Sequence, residues 1–124
     1  MEERWKVEFH GEFGPEFLRF SEAVRLQIIS LSRLLERFRP RLARPHVDTL
    51  KGSKLRNLKE LRFRVDDGAW RVAFAFDVKR RAILLVGGDK SGGSQDRFYR
   101  NLIEIAERRF DRHQRAIAAK ENQR

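Results

Sequence analysis

The chain has 124 residues, and its 28 Lys and Arg against 18 Asp and Glu give a formal net charge of +10. That length makes one domain, 1–124, with room for a single core and not for two. The absence of cysteine excludes a disulfide framework, a thiolate zinc site and a thiol nucleophile, and no apolar run approaches the roughly 18 residues of a membrane span.

The first predicted element is a strand. Residues 4–10 alternate, with Trp5, Val7 and Phe9 on one side and Arg4, Lys6, Glu8 and His10 on the other. Gly11 and Gly14-Pro15 break it. From Glu16 to about Arg39 the period becomes 3.6. Ser21 is a candidate N-cap that splits this region into two helices or kinks one. Val24, Ile28, Leu31, Leu34, Leu35 and Phe38 form a core-facing stripe with Gln27 at its edge, while Arg33, Glu36 and Arg37 form a solvated back. Pro40 and Pro45 end the helical region. Arg41 to Asn57 reads as a basic loop holding Lys51, Lys54 and Arg56.

Three strands follow. Leu58–Val65 alternates, with Leu61, Phe63 and Val65 opposite Glu60, Arg62 and Arg64. Asp66-Asp67-Gly68 is a hairpin signal. Ala69–Asp77 puts Trp70, Val72, Phe74 and Phe76 inward and Arg71, Ala73 and Ala75 outward. Ala82–Val86 is apolar throughout and is expected to end at Gly87-Gly88. A loop from Asp89 to Ser94 carries Lys90. An amphipathic helix then runs from Gln95 to about Lys120, with Phe98, Leu102, Ile105, Ala106 and Phe110 buried and several arginines, including Arg97 and Arg109, on its surface. Residues from roughly 114 to 124 are expected to fray as a basic tail. The order β-α-α-β-β-β-α predicts an α+β two-layer fold, an antiparallel sheet with helices packed on one face.

On that arrangement Glu60, Arg62, Arg64 and Arg71 share the open face of the sheet above a floor of Ala73 and Ala75. This is a shallow cationic trough suited to a polyanion. Simpler roles stand beside it: a cross-strand ion pair for Glu60 with Arg62 or Arg71, a core position for Tyr99, a loop cap for Asp89, and solvated helix faces for the remaining arginines.

The ordered segments Leu50-Lys51-Gly52, Leu58-Lys59-Glu60-Leu61-Arg62, Trp70-Arg71-Val72-Ala73-Phe74-Ala75-Phe76, and Ala82–Val86 followed by Gly87-Gly88-Asp89-Lys90 resemble the phage-derived HigB group of the RelE/ParE toxin superfamily. The resemblance spans roughly residues 4 to 113. It implies a RelE-like fold and a ribosome-dependent endoribonuclease acting on mRNA. It also implies a cognate antitoxin, a helix-turn-helix HigA-like protein, and the lack of cysteine fits the expected cytoplasmic location. Carried over by position, Arg71 matches the arginine of the family's Tyr-Arg-Val strand. Lys90 matches the basic residue after the last strand, and Tyr99 falls near a tyrosine at the start of the last helix. Glu60 and Arg62 match the Glu-Leu-Arg pair, and Lys51 and Lys54 the basic region before it. The loop Asp89-Lys90-Ser91-Gly92-Gly93 carries no His, so a Lys/Arg/Tyr mechanism is the better transfer.

Such chemistry needs neither metal nor cofactor, because RNA supplies its own 2′-OH as nucleophile. Lys54 or Glu60 would orient or deprotonate it. Arg71 would clamp the nonbridging oxygens. Lys90 or Tyr99 would serve the leaving group, with dense positive charge expected to depress both pKa values. Lys51, Arg56, Arg62, Arg64 and Arg97 would hold the RNA backbone. Two other readings remain open. One is a ParE-like toxin that inhibits a topoisomerase and cuts nothing. The other is a nonenzymatic basic binding domain, although no RNP aromatics, GXXG loop or helix-turn-helix is visible.

Overall fold

A computed structural model describes residues 5–122. The expected strand at the N-terminus forms as β1 (Lys6–Phe9), and Arg4 lies outside the described residues. The period-3.6 region divides at Ser21 into α1 (Phe13–Leu18) and α2 (Glu22–Phe38). Ser21 Oγ accepts the Val24 N–H (3.3 Å) and its carbonyl accepts the Arg25 N–H, so it caps α2 as its side chain predicts. A short 3₁₀ turn, Arg39–Arg41, follows. The basic segment after it was expected to be a loop, but it contains a three-residue strand, β2 (Val47–Thr49). The meander forms as β3 (Lys59–Val65), β4 (Gly68–Phe76) and β5 (Arg81–Asp89), and α3 (Gln95–Asn122) completes the chain. Residues 114–122, expected to fray, continue α3, and 123–124 lie outside the described residues.

The β3–β4 turn consists of Asp66 and Asp67 alone, since Val65 pairs with Gly68. Asp66 takes φ 53°, a left-handed conformation that Asp tolerates better than most residues. Gly68 therefore opens β4 rather than closing the turn. An added Cβ there would sit 2.8 Å from Asp89 Oδ2, so the missing side chain leaves room for that carboxylate.

The sheet has the order β1-β5-β4-β3-β2. Two parts of the predicted fold are corrected by it. The sheet is mixed rather than antiparallel, because β1 pairs parallel with β5 at one edge. It is also covered on both faces. Phe13, Val24, Ile28, Leu31 and Leu35 pack over Leu61, Val72, Phe74 and Leu84 on one side. On the other, Leu102, Ala106 and Phe110 of α3 pack over Ala73, Ala75, Ile83, Leu85 and Val86. The result is three layers. Ala73 and Ala75 are not the floor of an open trough, since both are almost fully buried. Their small side chains let α3 approach the sheet. Enlarging one of them, as in Ala75→Leu, is expected to cost about 1–3 kcal/mol by overpacking, measured as a fall in urea midpoint at unchanged slope.

β5 does not stop at its glycines, as the sequence suggested, but continues to Asp89. A bulge at Ala73/Phe74 pairs Ala73 with Val86 and Phe74 with Leu84. The extra residue turns both Leu85 and Val86 towards α3. Beyond it, Gly87 passes under Val72 and Phe13, and Gly88 under Phe98, where a Cβ would meet ring carbons at 3.2 Å. These two positions let β5 thread between both helical layers and deliver Asp89 and Lys90 to the end of the sheet.

α1 and α3 are tied around the sheet by Arg109, counted from the sequence among the surface arginines but only 7% exposed. Its Nη1 donates to Glu16 Oε1 (2.8 Å) and to the Leu85 carbonyl (2.7 Å), and its Nη2 to Glu16 Oε2 (2.6 Å). Removing the guanidinium strands a buried carbonyl, while Glu16 stays partly solvated. Arg109→Ala is expected to cost about 2–3 kcal/mol, read from the loss of unfolding free energy in urea.

Candidate active site

Strand alternation places Glu60, Arg62 and Arg64 of β3 on the α3 side of the sheet, with Arg71 of β4 directly across from Arg62. α3 covers the alanines, and its first turns, carrying Tyr99, overhang the end where these charges sit. The clustering is tight. Arg71 Nε donates to Tyr99 Oη (3.2 Å) and Nη1 to the Trp70 carbonyl (2.8 Å), while Nε lies 3.6 Å from Glu60 Oε1. Glu60 Oε2 accepts from Arg62 Nη1 (3.4 Å). The same Arg62 nitrogen reaches Asp48 Oδ2 on β2 (3.3 Å), which also takes Arg44 Nη2 (2.7 Å). Lys90 Nζ stands 5.9 Å from the centre of the Tyr99 ring. Charges thus alternate along one line: Arg44, Asp48, Arg62, Glu60, Arg71.

Glu60 and Arg71 are 4% and 6% exposed, an unusual depth for charged side chains. Burial pushes the Glu60 carboxyl above its ordinary range, and this outweighs the Tyr99 hydroxyl and the charges of Arg71 and Arg62, which favour the anion. Its Oε1 atom is buried without a well-formed hydrogen bond among the described residues, although the tyrosine and Arg71 both face it. Burial and the neighbouring charges of Arg71 and Arg62 lower the Lys90 pKa. Tyr99 moves the opposite way. Burial and the adjacent Glu60 raise it despite the Arg71 hydrogen bond, so the expected depression by positive charge does not extend to the phenol. A neutral tyrosine is a proton donor here, and a carboxylate of raised pKa is a stronger base than a solvated one.

Asp89 holds the loop. It accepts the Ala69 N–H (3.1 Å), the Ser91 N–H (2.9 Å) and the Ser91 hydroxyl (2.6 Å). The Ser91 hydroxyl leads the groups that hold its carboxyl below the ordinary range. Next to it, the Lys90 N–H donates to the Ala69 carbonyl (2.8 Å), which fixes where the lysine stem departs.

Of the residues picked out in the sequence, the structure gathers Glu60, Arg62, Arg71, Lys90 and Tyr99. Arg64 and Arg97 are exposed, and the Arg64 charge reaches Lys90. The Lys54 backbone is held apart from these five. Its N–H and the Ser53 hydroxyl both donate to Glu107 Oε2 on α3 (2.6 and 2.8 Å). That anchor is two turns, about 12 Å, along the helix from Tyr99, and no contact joins Lys54 to the cluster among the described residues. Lys51 and Arg56 are exposed on the same loop. Asp48 and Arg44 were missed, because a three-residue strand is too short to announce itself by alternation. Among the described residues no group of three or more His, Asp or Glu side chains is placed to hold a metal ion, and no helix is long and apolar enough to cross a membrane.

The fold is that of the RelE proteins. A mutant of the E. coli toxin RelE in the free state superimposes with a TM-score of 0.58 at 12% identity, covering 86% of this chain and 98% of that one. A chain of the archaeal RelE–RelB complex from Pyrococcus horikoshii gives 0.52 at 19% identity, covering 72% and 98%. Residues 15–111 match the Gp49-like family of phage-derived proteins (DUF891), and the chain belongs to that family. It is similar to two candidate toxins of Mycobacterium tuberculosis. HigB3 is 49% identical over 78 residues, which is 63% of this chain and 66% of that protein. HigB2 is 37% identical over 87 residues, which is 69% and 43%. The matches therefore span just under two thirds of one relative and less than half of the other.

Proposed function

We propose that this protein is the toxin of a type II toxin–antitoxin pair, a ribosome-dependent mRNA endoribonuclease neutralised by a cognate antitoxin. The observation that carries the reading is the cluster of buried Glu60 and Arg71 with half-buried Tyr99 and with Lys90 beside it, on a RelE fold and in a chain similar to candidate HigB toxins. Glu60 takes the proton from the ribose 2′-OH as its oxygen attacks the adjacent phosphorus. Arg71 holds the nonbridging oxygens as negative charge gathers on them. The bond to the 5′-oxygen breaks, and Tyr99 or Lys90 gives that oxygen a proton. The products are a 2′,3′-cyclic phosphate and a 5′-hydroxyl. Arg62, Arg64 and Arg97 contact the RNA backbone near the cut, and the loop of Lys51, Lys54 and Arg56 contacts it further away. The partner is a helix-turn-helix antitoxin, and the site of action is the cytoplasm.

The test is tightly controlled induction with mapping of mRNA 5′ ends. New 5′-hydroxyl ends in translated messages, absent from untranslated ones, are the expected result. Growth arrest without such ends would replace the nuclease with a topoisomerase inhibitor of the same fold. Neither arrest nor ends would leave a basic binding domain.

A further inference from the structure

A second feature lies beside the cluster and takes no part in the chemistry above. β2 pairs with β3 only from Lys59 to Leu61, with one further bond from the Arg62 N–H to the His46 carbonyl. Past that point β3 runs on to Val65 with no strand on its outer side among the described residues. A groove of about 420 Å³ occupies this gap, bounded by the middle of α2 and by Pro45-His46. Leu31, Phe63 and Pro45 give it apolar walls. Gln27 and His46 bring hydrogen-bonding groups, and Arg62, Arg64 and Arg71 the positive charge.

We propose that this groove holds the base of one nucleotide next to the scissile phosphate, and that Gln27 reads its edge. The inference rests on the nuclease reading. Three features support it. Arg62 and Arg71 belong to both the groove and the cluster, so a strand whose phosphate sits at Arg71 places a neighbouring base there. The volume is within the range of small-ligand pockets. An apolar slot with a few hydrogen-bonding groups is what an unstacked base requires. Gln27 is exposed on α2 and its side chain makes no hydrogen bond within the protein among the described residues, which leaves its amide donor and acceptor free for a base. A glutamine amide matches the donor–acceptor pair of adenine, whereas a carboxylate accepts from the amino group of cytosine. The three arginines favour a nucleic acid over a cationic or apolar peptide as the occupant.

The experiment sequences mapped 5′ ends from cells expressing wild type, Gln27→Ala and Gln27→Glu. The readout is the base distribution at each position around the cut, which does not depend on total yield. Wild type is expected to favour adenine at one adjacent position on the order of tenfold. Gln27→Ala should flatten that position to about twofold or less and leave the others unchanged. Gln27→Glu should move it towards cytosine. Cuts whose base distribution is identical in all three proteins would overturn the pocket and leave the nuclease standing. If antitoxin capture were lost in those variants, the groove would instead belong to a protein partner. If folded Gln27 variants both failed to cut, the position would belong to catalysis rather than base reading. Wild type without cuts would remove the nuclease reading and this inference together.

Discussion

Arg71→Ala is expected to reduce cleavage of translated mRNA by about 10²–10³-fold, the usual loss when a preorganised donor to a developing oxyanion is removed. It should also destabilise the fold. Arg71 is buried, spans Glu60, Tyr99 and the Trp70 carbonyl, and takes one partner from each when it goes. About 1–3 kcal/mol is the expected cost, less than for a fully ionised buried pair because Glu60 already has a raised pKa and can take up a proton. The cost should therefore shrink in acid and grow as the pH rises. End mapping of the induced variant and urea melts at two pH values check the two halves. Arg71→Lys keeps the charge but loses the fork to Tyr99 and Trp70. It should recover part of the stability and little of the cleavage. A folded Arg71→Ala protein that cuts as wild type does would remove Arg71 from the site.

Glu60→Gln should separate activity from stability, with opposite signs. As the base in the proposed reaction, Glu60 is worth about 10²–10⁴-fold in rate, and glutamine cannot replace it. In the folded chain its carboxyl binds a proton more tightly than in the unfolded chain. Stability from this group is full in acid, below the unfolded-state pKa, and is lost as the pH rises through the folded-state value. Glutamine never carries the buried charge. The variant should match wild type in acid and melt higher near neutrality, by roughly 2–5 °C for a chain of this size. Melting curves across pH, paired with end mapping, measure both. A Glu60→Gln protein that is inactive and also less stable at neutral pH would show that the ion pairs outweigh the burial.

The parts legible in the sequence were those with a local cause. The alternation of β3 and β4, the cap at Ser21 and the stripes of α2 and α3 each follow from side chains a few residues apart. Ala73 and Ala75 were open to two meanings. A small residue on an outward face floors an exposed trough or admits a helix, and nothing within β4 decides which. α3 decides it, from a register set by residues 27 or more positions away. Arg109 looked like its neighbours on the helix surface because its partners, Glu16 and the Leu85 carbonyl, are remote in the chain. Alternation puts Glu60 and Arg71 on one face, and Lys90 and Tyr99 join them only through the order of segments that resemble the HigB group. Their distances, and the upward rather than downward shift at Tyr99, required the fold. Gln27 was noted as the edge of a stripe, but the groove beside it depends on where β2 stops.

The parallel pairing of β1 with β5 also bears on the order of assembly. Lys6 lies opposite Arg81, a separation of about 75 positions, so β1 has no strand to dock on until β5 exists. The β3–β4–β5 meander closes through turns of a few residues and α3 follows it directly. Its loop-closure cost is small beside that of recruiting β1. The meander with α3 should thus form a nucleus, with β1 joining late. In pulse-labelled hydrogen exchange, the amides of β4 and β5 are expected to gain protection before those of residues 6–9.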